Sequence, residues 1–216
     1  MITKYGFDVV AVVALIVVLS GSLVWSFVEW KIVRFGVLSL LLLCLVLTLA
    51  FFRDPERLTP SGDSLVIAPA DGKIVQIIDV QDPEYLRGAG IQVSIFMSPL
   101  NVHVNRYPVS GRVDYVKHYP GEYFAAYEEK ASLRNEQTHI GIDHKGKRIL
   151  LKQIAGMIAR RIVAEVSVGD QAIAGERFGM IKFGSRVDII MPRDSELKVK
   201  LGERTLAGST VIAVLS

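Results

Sequence analysis

The chain has 216 residues, a net charge of +3, a mean hydropathy of +0.36 and a hydrophobic content of 50%. So small and scattered a positive excess excludes a nucleic-acid binder built on Lys/Arg-rich runs, although it suits an anionic membrane surface. The lone cysteine, Cys44, excludes an internal disulfide and a cysteine-built metal centre.

The hydrophobic excess lies at the front. Val9 to Val28, VVAVVALIVVLSGSLVWSFV, carries no charge, and neither does Phe35 to Phe52, FGVLSLLLLCLVLTLAFF. Each run is close to the ~20 residues that a helix needs to cross a hydrocarbon core. Neither shows the polar stripe of a helix lying on a soluble core. Starting the second run at Val33 brings in Arg34, whose long stem can snorkel to the interface. A signal peptide has a shorter apolar region and a small-residue cleavage site, whereas here EWKIVR leads straight into another apolar run. The pattern predicts a transmembrane helical hairpin over residues 1–53, with spans at about 9–28 and 33–52 and both ends on one side. Lys4, Arg53 and Arg57 flank the hairpin, Lys31 and Arg34 sit in its loop, and this bias favours a cell-membrane protein with its globular part on the cytoplasmic face.

RDPERLTPSGDS is polar, with two prolines and a glycine, so residues 54–64 read as a linker. From Leu65 onward, β-branched runs such as SLVIAP, KIVQIIDV, IQVSIFM, RILLKQIAG, RVDIIMP and STVIAVL alternate with Gly, Pro and Asp. This spacing predicts that residues 65–216 form a mainly β domain, a barrel or sandwich. YFAAYEEKASL, residues 123–133, reads as helix or loop.

Two internal echoes stand out. PADGKIVQI from Pro69 resembles PVSGRVDYV from Pro108. VGDQAIAGERFGMI from Val168 matches LGERTLAGSTVIAV from Leu201, aligning Gly175 with Gly208 and Glu176 with Ser209. The second echo predicts one tight hairpin made twice. Gly208 is then accounted for as a turn glycine, and Ser209 is left over.

A serine hydroxyl lies next to the carbonyl that precedes it. If a turn twists that carbonyl toward the hydroxyl, the oxygen can add to it and shift the chain from amide to ester, given a base and donors for the oxyanion. Elimination then leaves dehydroalanine, and its hydrolysis gives a pyruvoyl group with loss of ammonia. Such a keto amide can condense with an amine and accept the electrons of a departing carboxylate. By itself a Gly-Ser pair is ordinarily just a turn.

FFRDPER, APADGKIVQI, FMSPLNVHVNRYPVSGRV, RNEQ, QIAGMIARRIV, VGDQAIAGERFGMIKFGSRVDIIMP and the terminal AGST, in this order over nearly all of residues 51–216, together resemble the short, membrane-associated form of the phosphatidylserine decarboxylase family. The resemblance implies self-cleavage between Gly208 and Ser209, with Ser209 becoming the pyruvoyl cofactor and chains 1–208 and 209–216 remaining together. It implies decarboxylation of a serine phospholipid, phosphatidylserine or an ether-linked serine lipid, to the ethanolamine lipid, without a metal. Asp71 in PADG and His103 in SPLNVHVNRYP match the family's catalytic aspartate and histidine, while their plain readings are a turn Asp and a structural His. Longer members carry a second histidine where this chain has Arg106, so His103 alone, or else His118 or His139, must serve the remaining role. His144, in DHKGK, reads as a solvated turn residue. Arg106, Arg160, Arg161 and Arg186 are the candidates for the lipid phosphate, Arg106 foremost for its nearness to His103. A homo-oligomer stays open.

The rival reading is a non-catalytic, membrane-tethered barrel-sandwich adaptor, because the repeated Gly-Asp/Glu hairpins also resemble lipoyl and biotinyl carrier modules. Carriers need a lysine at the hairpin tip, and here Glu176 and Ser209 stand at the matched positions.

Overall fold

The computed structural model describes residues 1–82, 84–121, 135–156, 162–182 and 185–216. It divides into two compact units, Met1–Glu56 and Arg57–Ser216. The segment expected to be helix or loop, residues 123–133, lies outside the described residues.

In the first unit a short turn of 3-10 helix leads into α1 (Phe7–Phe27), and α2 (Lys31–Phe51) follows after Val28–Trp30. Leu15, Leu19, Leu40 and Leu47 are all more than half exposed, so an apolar surface covers both helices, which are long and apolar enough to cross a membrane. The few hydroxyls are absorbed locally: Ser22 and Thr48 donate to the carbonyls of Val18 and Cys44 within their own helices. At the bend, Arg34 Nε donates to the Val28 carbonyl at 2.7 Å, and its guanidinium stacks on Trp25. The Thr3 N–H donates to the Phe52 carbonyl and the Asp54 N–H to the Met1 carbonyl, which closes the hairpin with both ends together.

The second unit is mainly β, as expected, and its described strands form three sheets. The largest is a curled eight-stranded sheet in the order β13 (Arg204–Thr205), β2 (Gly72–Asp82), β3 (Gly88–Met97), β11 (Ser185–Pro192), β7 (Lys147–Ala155), β6 (Gln137–His144), β5 (Gly111–Tyr119), β9 (Gln171–Ala172). The second sheet is β1 (Leu65–Ile67), β14 (Val211–Val214), β12 (Glu196–Leu197), and the third is β4 (Val104–Arg106), β10 (Arg177–Ile181), β8 (Ile162–Ala164). All the described strand pairs are antiparallel, and Ile74, Val93, Ile95, Val113, Ile140, Leu151, Val187 and Ile212 fill the shared core with no exposure.

The two sequence echoes combine into one internal twofold relation. Reading the large sheet from either end gives matching strands: β13 with β9, β2 with β5, β3 with β6, β11 with β7. The small sheets match likewise, β1 with β4, β14 with β10 and β12 with β8. Even the irregularities correspond, since the β2–β3 register slips between Ile74 and Gln76 and the β5–β6 register slips at the aligned Val113 and Tyr115. The halves cross reciprocally, with the Ile67 N–H donating to the Pro108 carbonyl at 2.8 Å and the Arg106 N–H to the Pro69 carbonyl at 3.0 Å.

Candidate active site: the Gly208-Ser209 turn

The turns that follow β9 and β13 begin alike. The Glu176 N–H donates to the Ile173 carbonyl at 3.0 Å, and the Ser209 N–H to the Leu206 carbonyl at 3.1 Å. The Gly175 N–H reaches the Tyr107 carbonyl at 2.8 Å, and the Gly208 N–H reaches the Ala68 carbonyl at 2.9 Å. Both glycines have left-handed backbones, with φ of 83° and 75°. Gly208 has a second reason to lack a side chain, because a Cβ there would stand 2.7 Å from Arg106 Cδ. A side-chain oxygen caps the preceding alanine in each turn: Ser110 Oγ accepts from Ala174 N–H at 3.0 Å and Asp71 Oδ1 from Ala207 N–H at 2.8 Å.

The turns part at the next residue. The Tyr107 N–H donates to the Glu176 carbonyl, whereas the aligned Ala68 N–H passes over Ser209 and donates to the Thr210 carbonyl, both at 2.8 Å. The strands carry this offset onward. Arg106 faces Arg177, but the aligned Ile67 faces Val211, one position further along. The Ser209 turn thus holds one additional residue. Thr210 is folded back onto Leu206, donating its N–H to the Leu206 carbonyl at 3.0 Å and accepting the Leu206 N–H on Oγ1 at 2.9 Å. In consequence the Gly208–Ser209 peptide bulges out of a ladder that its twin follows. Ser209 is half-buried, and its hydroxyl donates to the Leu58 carbonyl at 3.3 Å.

Asp71 and Arg106, both singled out in the sequence, meet at this turn. Asp71 is 5% exposed and binds both Ala207 and, through Oδ2, the Arg57 guanidinium at 2.9 Å. Arg106 lays its aliphatic stem against Gly208 and donates Nη1 to the Gly175 carbonyl at 2.9 Å, joining the two turns. His103 lies fully buried just before β4, the strand that carries Arg106. Its Nδ1 is 2.9 Å from the Asn101 carbonyl, which fixes the neutral tautomer with hydrogen on Nδ1 and leaves Nε2 as the basic nitrogen.

The remaining candidates stand elsewhere. Arg186 is buried in the large sheet, where Nε faces Asp188 Oδ1 at 2.8 Å as an ion pair and Nη2 donates to Oδ2 at 3.1 Å. Arg160 and Arg161 lie outside the described residues. His118 is half-exposed beside Thr138 and Glu136. His144, expected to be solvated, is instead buried at 7% exposure, because the pairing of β6 with β5 lays its Nδ1 on the Ser110 carbonyl.

His139 has its Nε2 2.9 Å from Gln137 Oε1 and its ring against Tyr119. Burial first, and the Lys152 charge second, push its pKa down from 6.5 to about 4. Between those two values the unfolded chain takes up a proton that the folded chain refuses, so this residue's contribution to stability falls as the pH drops from 6.5 to about 4. His139→Gln is therefore expected to flatten the acid side of a melting-temperature profile over that window, by on the order of 2 kcal/mol at its lower end.

Arg57 was not legible in the sequence as a site residue. It fell in the segment that read as linker, yet it opens the second compact unit and its side chain is 12% exposed on Asp71. In the FFRDPER string Arg57 stands two residues after Pro55, and nothing local pointed to its partner.

The β domain is thus a curled antiparallel sheet with internal twofold symmetry, in which one of two matching turns holds an additional residue. The profile described as phosphatidylserine decarboxylase matches residues 45–213. A phosphatidylserine decarboxylase proenzyme of Chlorobium phaeovibrioides is 45% identical over 100% of this chain and 97% of its own. Proteins with the same name from Salinibacter ruber and Cytophaga hutchinsonii are each 44% identical, over 90% and 93% of this chain and 86% and 91% of their own. The chain belongs to the phosphatidylserine decarboxylase family.

Proposed function

We propose that the chain is made as a proenzyme, cuts itself between Gly208 and Ser209, and then decarboxylates phosphatidylserine, or the ether-linked serine lipid, to the ethanolamine lipid. The observation that carries this reading is the one-residue excess at Gly208-Ser209-Thr210 within two otherwise matching turns. The membrane hairpin holds the β domain at the cytoplasmic face of the cell membrane, so that a water-insoluble lipid reaches the site without leaving the bilayer.

Cleavage starts when a base takes the Ser209 hydroxyl proton and Oγ adds to the Gly208 carbonyl carbon. The bulged peptide leaves that carbon open to attack, and the left-handed Gly208 allows the twist. Collapse of the adduct breaks the C–N bond and leaves an ester. Removal of the Ser209 α-proton expels the Gly208 carboxylate, and water converts the dehydroalanine to the pyruvoyl group with release of ammonia. Asp71 holds the turn through Ala207. His103, basic at Nε2, is the residue we assign to proton transfer in both cleavage and decarboxylation.

The pyruvoyl group supplies an electron-accepting carbonyl for the loss of carbon dioxide. Residue 209 suits it, since it stands in a glycine-led bulge too tight for a side chain at 208 and only half-covered itself. Of the two described arginines proposed for the lipid phosphate, Arg106 is packed on the Gly208 peptide, while Arg186 is committed to Asp188.

The intact mass of the purified protein tests the reading. Two pieces are expected, residues 1–208 and a residue 209–216 peptide whose amino terminus resists sequencing. A whole chain with a free Ser209 would favour the adaptor instead.

A further inference from the structure

We propose that Arg57 is a positioning residue for self-cleavage, acting through Asp71. The inference rests on the cleavage reading above. The two halves of the β domain provide an internal comparison. Capping the alanine N–H ahead of the glycine is a duty that both turns require, and in the Glu176 turn an uncharged hydroxyl, Ser110 Oγ, performs it at 3.0 Å. The Ser209 turn uses a carboxylate for the same bond, at 2.8 Å, and adds a guanidinium 2.9 Å behind it. The fold of the turn does not call for that charge pair, because the twin turn forms without one.

Burying an ion pair carries a desolvation penalty and is weak evidence for stability, so a pair placed where a hydroxyl suffices points to another role. Its geometry supplies one. Arg57 Nη2 engages Asp71 Oδ2, which turns Oδ1 onto Ala207 N–H. The chain Arg57–Asp71–Ala207 therefore sets the approach of the Gly208 carbonyl one residue on. The next residue from Arg57 touches the reacting group itself, since the Leu58 carbonyl accepts the Ser209 hydroxyl at 3.3 Å. Arg57, through Asp71, and Leu58, directly, thus hold the turn on the two sides of the bond to be broken. In the twin turn the neighbouring Thr59 packs on Gly175 by side-chain contact, without a charge.

The test follows conversion of full-length Arg57→Met, Arg57→Lys and Arg57→Ala proenzymes in detergent by intact mass, together with their melting temperatures. Loss of one charge-assisted hydrogen bond is expected to slow cleavage of Arg57→Met by about tenfold or more. Lysine at 57, or guanidinium ion added to Arg57→Ala, is expected to recover much of the rate while the melting temperature stays unchanged. Cleavage of Arg57→Met at the wild-type rate would overturn the proposal, and so would a slowing that neither lysine nor guanidinium relieves. A wild-type chain that stays whole defeats the cleavage reading itself, and these variants then have no rate to compare.

Discussion

Ser209→Ala is expected to yield a protein that weighs as one uncut chain and releases no carbon dioxide from a serine lipid. The effect is complete rather than graded, because alanine has no oxygen to add to the Gly208 carbonyl and no leaving group for the elimination that follows. The fold loses little. The hydroxyl makes one partly exposed hydrogen bond, to the Leu58 carbonyl at 3.3 Å, and a bond of this kind contributes about 1 kcal/mol or less. The Ser209 N–H bond to Leu206 and the β14 ladder do not involve the side chain. A melting temperature close to that of the parent, alongside lost cleavage, separates chemistry from folding. Cleavage or gas release that survives the change would end the pyruvoyl mechanism.

Deleting Thr210 has an equally large expected effect for a different reason. Without it Val211 follows Ser209 directly, just as Arg177 follows Glu176 in the twin turn. Val211 keeps its place opposite Ile67, and the Ser209 carbonyl takes over the Ala68 N–H as the Glu176 carbonyl takes that of Tyr107. The Gly208–Ser209 peptide then lies within the ladder instead of bulging from it. The shortened protein is expected to fold, with its serine and Asp71 in place, and to remain uncut on the mass spectrum. Efficient splitting of this variant would mean that the bulge is not what makes the peptide reactive.

Much of the architecture was legible before any coordinates. Long uncharged runs have few physical fates, so the helical hairpin followed from length and composition, and α1 and α2 begin within two residues of the expected spans. The β domain followed from β-branched segments between turn residues. Both echoes were visible too, but their relation was not, because it resides in hydrogen bonds between residues far apart, such as Ile67 to Pro108 and Arg106 to Pro69. Nor could the aligned strings reveal the excess residue. Matched letter by letter, Glu176-Arg177 and Ser209-Thr210 run level, and only the pairing with β4 and β1 shows the slip.

Arg186 was nominated as a phosphate ligand for its charge, although RVDIIM places residues 186 and 188 on one face of a strand, and that i, i+2 pattern was enough to foresee the buried pair with Asp188. Arg57 is the opposite case. Its partner Asp71 lies across a stretch with few regular elements, and no periodicity connects them.

β14 occupies the middle of its sheet, between β1 and β12, with Ile212 and Ala213 fully buried. The Leu215 N–H reaches the Ser64 carbonyl, and the Ser216 hydroxyl reaches that of Asp194. An octapeptide stitched along both edges cannot diffuse away when its covalent tie is lost. The proposed scission would therefore create a new chain end without creating a new molecule, and the two fragments are expected to separate under denaturant but travel together in its absence.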